Sequence, residues 1–146
     1  MKTLVLTLLP ATADNTIHGA TLPAYLFAVI AVISLVRSSI HILARDGGAG
    51  SIAGMDLSVS GGDGIVFAFG LWGSSQLVYA FIQLAVAFRY RSLVPAMYLL
   101  LFVETLLRML VGRLKPATFA HKPPGAIGNY VILPLSLVML AWSLWP

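Results

Sequence analysis

The sequence predicts an all-α fold, specifically an integral membrane four-helix bundle. Hydrophobic residues make up 59% of the 146 residues and charged residues only 10%, whereas a soluble domain carries about 25% charge. The chain therefore has too few charged residues to cover a water-exposed surface. Four apolar runs are each long enough to cross a bilayer, which requires about 20 helical residues. None of these runs alternates polar and apolar residues as a membrane β-strand does.

The first segment, residues 1–21, is predicted to be a short N-terminal arm at the membrane interface. It begins with Lys2 and a short apolar run, residues 4–9. A secretory signal needs an apolar region of about 7–15 residues, so this run is marginal, and Pro10 ends it. Removal of the segment as a signal peptide is the alternative interpretation.

Residues 22–146 are predicted to form a single transmembrane domain with four spans. The spans are residues 24–44, 63–88, 93–111 and 126–144. Pro23 and Pro95 suit first helical turns, where a missing N–H breaks no helical hydrogen bond. Ser60 or Asp63 can cap the start of the second span. The connection between the second and third spans is very short, which predicts a tight antiparallel hairpin.

Four spans place both termini on the same side of the membrane. The basic residues outside the spans are Lys2, Arg89 and Arg91 on the terminal side, and Arg45, Arg113, Lys115 and Lys122 on the side of the two long loops. This near balance leaves the positive-inside rule without a clear preference. The dense basic turn at Arg89 and Arg91 favours cytoplasmic termini. We expect a multi-pass protein of the bacterial inner membrane.

Four titratable side chains lie inside the apolar spans: Arg37 and His41 in the first, Glu104 and Arg108 in the third. Each pair has i,i+4 spacing and therefore shares one helix face. The first and third spans cross the membrane in the same direction, so all four groups lie in the same half. Such groups cost at least ~2.5–3.5 kcal/mol each and are normally paired or functional. Glu104 is predicted to pair with Arg108 along its helix and with Arg37 across an interface.

Two interpretations of these groups stay open: an ion pair that fixes helix register, and the polar floor of a ligand or proton site. Arg37, Arg108 and Glu104 carry a net positive charge when all are ionised. This excess suits a carboxylate, a phosphate, a lipid headgroup or a quinone oxygen. Asp63, on the same membrane side, could instead balance the charge. His41 is the candidate for proton transfer, and a helix-end histidine bonded to loop backbone is the alternative.

The second and fourth spans contribute further candidate residues. A polar stripe on the second span consists of Trp72, Gln76, Tyr79 and Gln83. Its simplest interpretation is packing between helices, while Gln76 is also a candidate lining residue of the pocket. The small residues Gly70, Gly73, Ser74 and Ser75 predict a close approach between helices. Asn129 begins the fourth span on the long-loop side and could line the mouth of the same pocket.

Composition and spacing also limit cofactors and partners. The chain has no cysteine, which excludes disulfides and thiolate metal sites, and we expect no metal site. Haem is disfavoured because His41 would need His121, in a loop, or His18, on the opposite side, as a second ligand; a quinone stays open. The net charge of +4 forms no basic patch with interleaved aromatics, so nucleic acid is not an expected partner. Lipid, other membrane subunits or a second copy are the expected partners.

Three features resemble the DoxX-like group of small four-helix membrane proteins. They are the order of the spans, the glycine-rich stretch SGGDGIVFAFGLWGSSQ at residues 60–76, and the ending LLRMLVGRLKP at residues 106–116. The resemblance extends over roughly residues 24–145. It implies an accessory subunit of a membrane oxidoreductase system, in some members linked to quinones and sulfur oxidation. It identifies no catalytic residue.

Three functions follow as hypotheses. The first is an accessory or interaction subunit of a membrane system, for which a quinone-linked oxidoreductase is one option. The second is a small membrane enzyme in which Glu104 and His41 exchange protons with an anionic or lipid substrate. The third is a proton or small-solute transporter that works as an oligomer, although the chain has no inverted repeat.

Overall fold

A computed structural model describes residues 7–145, and four long helices account for most of them. The helices are α1 (Leu22–Leu43), α2 (Gly62–Arg89), α3 (Val94–Leu114) and α4 (Pro124–Ser143), with a 3-10 turn (Arg91–Leu93) before α3. All four are long and apolar enough to span a membrane, which is the pattern of a multi-pass membrane protein. The part of the chain that the structure describes contains no strand. The predicted all-α four-helix fold is confirmed.

The helix starts follow from backbone chemistry. Pro23 and Pro95 lie in the first turns of α1 and α3, as predicted. The start of α2 differs from the prediction, because its N-cap is Gly61 with φ of 88° and no side chain caps it. Glycine adopts this left-handed conformation without steric cost. The predicted cap by Ser60 or Asp63 is therefore wrong, and the Asp63 carboxylate accepts a hydrogen bond from the next backbone N–H instead.

The bundle consists of two closely packed pairs, α1 with α2 and α3 with α4. Although α2 and α3 follow each other across a short turn, their backbones make few close contacts. The predicted tight antiparallel hairpin is therefore wrong. A short connection brings the ends of two helices together, but farther along their lengths the two backbones stay apart and meet through side chains such as Gln76 and Glu104.

An apolar core occupies the half of the bundle nearest the termini. Its buried members come from all four helices: Ala24, Phe27, Ile30, Val86, Ala87, Val94, Met97, Tyr98, Leu101 and Met139. Phe27 and Tyr98 are fully buried and meet edge to face, with ring centroids 5.6 Å apart. The Tyr98 hydroxyl donates to the Pro23 carbonyl at 2.8 Å. This bond satisfies the polar atom of a ring that is otherwise surrounded by apolar groups.

The described part of the N-terminal arm, residues 7–21, packs against the terminal end of the bundle. The Asp14 N–H donates to the Ser92 hydroxyl at 2.9 Å, and that hydroxyl donates to the Asp14 carbonyl at 3.0 Å. Gly19 lies so close to the Ser143 carbonyl that an added Cβ would collide with it. The predicted start of the arm, including Lys2, lies outside the described residues.

The two long connections meet at the opposite end. The Ala120 N–H donates to the Gly54 carbonyl at 2.8 Å, and His121 Nε2 lies 3.2 Å from the Ile52 carbonyl oxygen. An open cleft of about 500 Å³ lies beside these contacts and is lined by both loops, including Gly54, Ala120 and His121 themselves. Because these loops follow α1 and α3, the C-terminal ends of both helices lie on one side of the bundle. We call this half of the bundle the long-loop half.

Candidate functional site

Gly73 sets the close contact between α1 and α2 in the long-loop half. A Cβ added at Gly73 would lie 2.6 Å from the His41 Cβ, so a larger residue would push the two helices apart. A Cβ added at Gly70 would meet nothing within 4 Å, and Ser74 and Ser75 are exposed. Among the small residues predicted to allow close approach, Gly73 is the one that does so.

Trp72 links the two candidate residues of α1. Its ring centroid lies 4.8 Å from that of His41 and 5.2 Å from the guanidinium carbon of Arg37. Phe69 packs edge-on against both rings, with centroids 5.7 Å from His41 and 6.1 Å from Trp72. The face of an indole ring attracts a cation. Trp72 therefore offsets part of the cost of placing the Arg37 guanidinium inside a span.

A chain of polar contacts joins three helices. Arg37 Nη2 donates to Gln76 Oε1 at 3.0 Å, and Gln76 Nε2 donates to Glu104 Oε1 at 3.4 Å. Arg108 Nη1 lies 3.7 Å from the same Glu104 oxygen and forms an i,i+4 ion pair. We call Arg37, Gln76, Glu104 and Arg108 the polar cluster. It connects α1, α2 and α3, and among the described residues Arg37 of α1 forms no hydrogen bond or ion pair with Glu104 or Arg108 of α3.

The predicted pairings are only partly correct. The ion pair between Glu104 and Arg108 is confirmed. The direct pairing of Glu104 with Arg37 is wrong, since Gln76 stands between them and no ion pair to Arg37 forms among the residues described. A side-chain amide both donates and accepts hydrogen bonds. Gln76 can therefore bridge a guanidinium and a carboxylate that lie too far apart to meet.

The two guanidinium groups of the polar cluster are incompletely satisfied. Each carries five N–H donors, and within the described chain Arg37 uses one nitrogen, Nη2, for a hydrogen bond. Arg108 Nη2 donates to Thr105 Oγ1 at 3.4 Å, while its buried Nε has no partner among the described residues. One carboxylate, Glu104, serves two guanidinium groups, that of Arg108 directly and that of Arg37 through Gln76. The polar cluster therefore keeps one positive charge in excess.

Part of the polar cluster is exposed at a depth that corresponds to the middle of the membrane. The side chains of Glu104 and Arg108 are 25% and 27% exposed, and Leu107 beside them is 56% exposed. Glu104 lies about ten residues, or about 15 Å, from either end of α3. This distance matches half of a hydrocarbon core about 30 Å thick. We call the surface formed by Trp72, Gln76, Glu104, Leu107 and Arg108 the α2–α3 face.

His41 occupies a separate environment. It is buried, and its Nδ1 lies 2.7 Å from the Gly47 carbonyl oxygen. A carbonyl oxygen only accepts, so Nδ1 carries the proton in this contact. No hydrogen bond within the described chain connects His41 with Glu104 or Arg108. The contacts match the alternative interpretation, a helix-end histidine bonded to loop backbone.

The remaining candidates do not join the polar cluster. Asn129 is half-buried near the start of α4, and its side chain forms no hydrogen bond with any residue the structure describes. Asp63 is exposed and bonds its own helix start, so it does not balance the charge of the arginines through an ion pair. His18 lies with the arm beside Ser92, and His121 lies in the loops of the opposite end.

One polar residue, Thr105, has a role that the sequence analysis missed. Thr105 is fully buried; its hydroxyl donates to the Leu101 carbonyl at 2.7 Å and accepts from Arg108. Its i,i+3 spacing from Arg108 was the available signal. Gln83, which was assigned to the polar stripe, is 1% exposed toward the terminal end of α2, and its Oε1 has no partner among the described residues.

The loop after α1 is held by one carboxylate. Asp46 accepts hydrogen bonds from the Ser51 N–H at 2.6 Å, the Gly48 N–H at 2.9 Å and the Ser51 hydroxyl at 3.2 Å. These bonds to the charged form, the one from the Ser51 N–H first, lower the pKa of Asp46 to about 2. Gly47 and Gly48 have φ of 60° and 77° and reverse the chain here. The reversal brings the Gly47 carbonyl to His41.

No family model, curated protein or solved structure matches this chain. The DoxX-like resemblance therefore stays a prediction from sequence features. Function has to be argued from the geometry and the charge of the polar cluster.

Proposed function

We propose that this protein is an accessory or interaction subunit of a membrane protein assembly and that it meets its partner at the α2–α3 face. The observation that supports this most is that Glu104 and Arg108 are each about one-quarter exposed near the middle of a span. Lipid tails offer these groups no hydrogen bond, and ionisable groups at this depth are costly. An assembly that covers them is favoured over a free chain for this reason.

The apolar surface of the bundle supports the same proposal in a less specific way. In the apolar windows of α2 and α4, only 11% of the residues are buried. Lipid, another subunit or a second copy could cover this surface equally well. The polar cluster favours one of these three, because only a molecule that brings a polar group to the same depth can complete the hydrogen bonds of the cluster.

The resemblance to the DoxX-like group supports a place beside a membrane oxidoreductase, where a quinone-linked partner would fit. We also propose the bacterial inner membrane as the location. The proposed orientation has cytoplasmic termini, which the basic pair Arg89 and Arg91 at the α2–α3 turn supports.

The enzyme and transporter hypotheses have less support from the geometry. The enzyme hypothesis requires Glu104 and His41 to act together, but His41 is bonded to Gly47 and packed against Trp72. The transporter hypothesis is favoured by no particular contact. Both stay predictions, and we propose neither.

Native mass spectrometry of the full chain, extracted gently from its own membrane, tests the proposal. We expect the wild-type chain to retain a protein partner and Arg108→Gln to lose it, because the substitution removes the partly exposed guanidinium group of the α2–α3 face. Lys115→Gln is the matched control, since it removes a positive charge outside the helices and should keep the partner. A wild-type chain that carries only lipid, a quinone or nothing contradicts the proposal.

A further inference from the structure

We infer that the partner contributes a transmembrane helix with one Asp or Glu near its middle, and that this carboxylate binds the arginines of the polar cluster. The inference rests on the proposed function, because it names the chemistry of the partner of that subunit. Three observations lead to the inference: the charge of the polar cluster, the depth of the polar cluster, and the acidic residues that the chain contains.

The charge of the polar cluster calls for an anion. Glu104 already binds Arg108 and Gln76, whereas Arg37 is bonded to a neutral amide and packed on an indole ring. A second carboxylate would cancel the excess positive charge. Its two oxygens match the planar donors of a guanidinium group, including donors of Arg37 and Arg108 that have no partner within the described chain.

The depth of the polar cluster argues against a lipid headgroup as the anion. Arg37 and Arg108 are each six residues, or about 9 Å, from the long-loop ends of their helices. The Arg108 guanidinium, however, reaches back to Thr105 and Glu104, and Glu104 lies about 15 Å from either end of α3, which is about the distance from the membrane middle to the headgroups. Side chains on a helix lean toward its N-terminus. Arg37 and Arg108 lie on helices that run toward the long-loop side, so they lean toward the membrane middle and away from the nearer headgroups.

The composition of the chain argues against a second copy as the source of the carboxylate. In the middle of its spans each copy carries two arginines and one glutamate, so a dimer would double the excess positive charge. Asp63 is the remaining acidic residue within the described helices. It lies at the start of α2, about 20 Å along the axis from Gln76, and therefore at the wrong depth.

The α2–α3 face also carries exposed apolar side chains that a second helix could cover. Leu107, next to Arg108 in the chain, is 56% exposed, and Trp72, one turn before Gln76 on α2, is 36% exposed. Apolar side chains around a small polar centre let two helices pack while the polar groups meet. The partner is therefore a spanning helix that is apolar except for its central acidic residue.

Synthetic peptides test the inference with the full chain in neutral phosphatidylcholine vesicles near pH 8. Three leucine- and alanine-rich transmembrane peptides differ at one residue: a central Glu, a central Gln, or a Glu near one end. Energy transfer between dyes on the chain and on the peptide measures association. We expect the central-Glu peptide to bind about tenfold more tightly than the central-Gln peptide, and the end-Glu peptide to bind more weakly than the central-Glu peptide.

Substitutions in the chain locate the binding group. Arg37→Gln and Arg108→Gln should each reduce the preference for the central Glu, and Lys115→Gln should leave it unchanged. Glu104→Gln should increase the preference, because it removes the carboxylate that competes for the same guanidinium groups. A purely structural role of Glu104 would lower thermal stability and leave the preference unaltered, which would count against the inference.

Equal binding of the central-Glu and central-Gln peptides to the wild-type chain overturns the inference, and this comparison needs no variant that might fail to fold. So does loss of the preference when phosphatidylglycerol is added, because the arginines would then bind lipid headgroups. If a second copy of the chain displaces the peptide, the α2–α3 face is a self-association surface, and the inference is overturned as well. A partner retained in the mass spectrum without any carboxylate preference refutes this inference alone, whereas a preference with no retained partner refutes the proposed function.

Discussion

The two halves of the bundle are held together by different interactions. In the terminal half, apolar side chains from all four helices pack around Phe27 and Tyr98, and the arm closes the end through Asp14 and Ser92. In the long-loop half, aromatic rings and hydrogen bonds join the helices, and polar groups remain partly exposed. In the terminal half the Gln83 Oε1 is the one buried side-chain nitrogen or oxygen of the described residues without a partner, while the long-loop half leaves guanidinium donors and a charge without partners in the residues described.

This difference separates stability from interaction. Close apolar packing in the terminal half stabilises the bundle without help from another molecule. An incompletely satisfied polar cluster adds little to stability, since each interhelical hydrogen bond in a membrane contributes about 1 kcal/mol. The terminal half is therefore expected to control folding, and the long-loop half to control what the protein binds.

The largest effect is expected from Phe27→Ala in the terminal half. Phe27 is fully buried against Tyr98, so the cavity should lower the free energy of unfolding by about 3 kcal/mol. Val29→Ala on the same helix is the control, because Val29 is 54% exposed and should change it little. Unfolding in detergent micelles measures both. Similar losses in the two variants would refute the assignment of the core to this half.

A smaller loss is expected from Gly73→Ala, which tests the contact between α1 and α2. The added Cβ would meet the His41 Cβ at 2.6 Å, and overpacking of this kind costs about 1–3 kcal/mol. Gly70→Ala is the control, since the added methyl group meets no neighbour. The preference for a central-Glu peptide should also fall in Gly73→Ala, because Arg37 moves away from Gln76. An equal free energy of unfolding in Gly73→Ala and Gly70→Ala would contradict the close contact between α1 and α2 at Gly73.

The smallest effect is expected from Asp46→Ala in the loop after α1. The pKa of Asp46 is about 2, below the value of about 3.9 for an unfolded chain. Its contribution to stability is therefore complete above about pH 4 and is lost as the pH falls toward 2.

Hydrogen exchange of the Gly48 and Ser51 amides measures this contribution. Exchange should be faster in Asp46→Ala at pH 6, and the difference from wild type should shrink on acidification. Asp56→Ala is the control, because among the described residues the Asp56 side chain accepts hydrogen bonds only from nearby Ser58. Unchanged exchange in Asp46→Ala would show that the glycines alone hold the loop.

Much of the fold was predictable because membrane spans are set by length and composition. A helix must remain apolar for about 20 residues to cross the hydrocarbon, and four such runs are visible in the printed sequence. The positions of Pro23 and Pro95 marked two helix starts for a similarly local reason. The start of α2 was not predicted, because a glycine in a left-handed conformation competes with Ser60 and Asp63 as the cap.

The site was predictable only in part. The i,i+4 ion pair of Glu104 and Arg108 follows from the geometry of one helix, and the structure confirms it. The position of Gln76 between Arg37 and Glu104 depends on how α2 is rotated against two other helices, and local spacing carries no such information. His41 was grouped with Arg37 by spacing, yet its imidazole meets the backbone of a loop that only the folded chain brings near.

The sequence by itself determined the four apolar helices and the half of the membrane in which the charged residues lie, because both follow from hydrophobicity and helical rise along one chain. Only the tertiary structure decided that α1 packs with α2 and α3 with α4, that Gln76 bridges the polar cluster, and that Glu104 and Arg108 stay partly exposed. In a membrane, lipid tails solvate every apolar helix face about equally well, so hydrophobicity does not select which helices pair. The pairing of helices therefore depends on close contacts such as that of Gly73 with His41, which form only when the separate helices pack together.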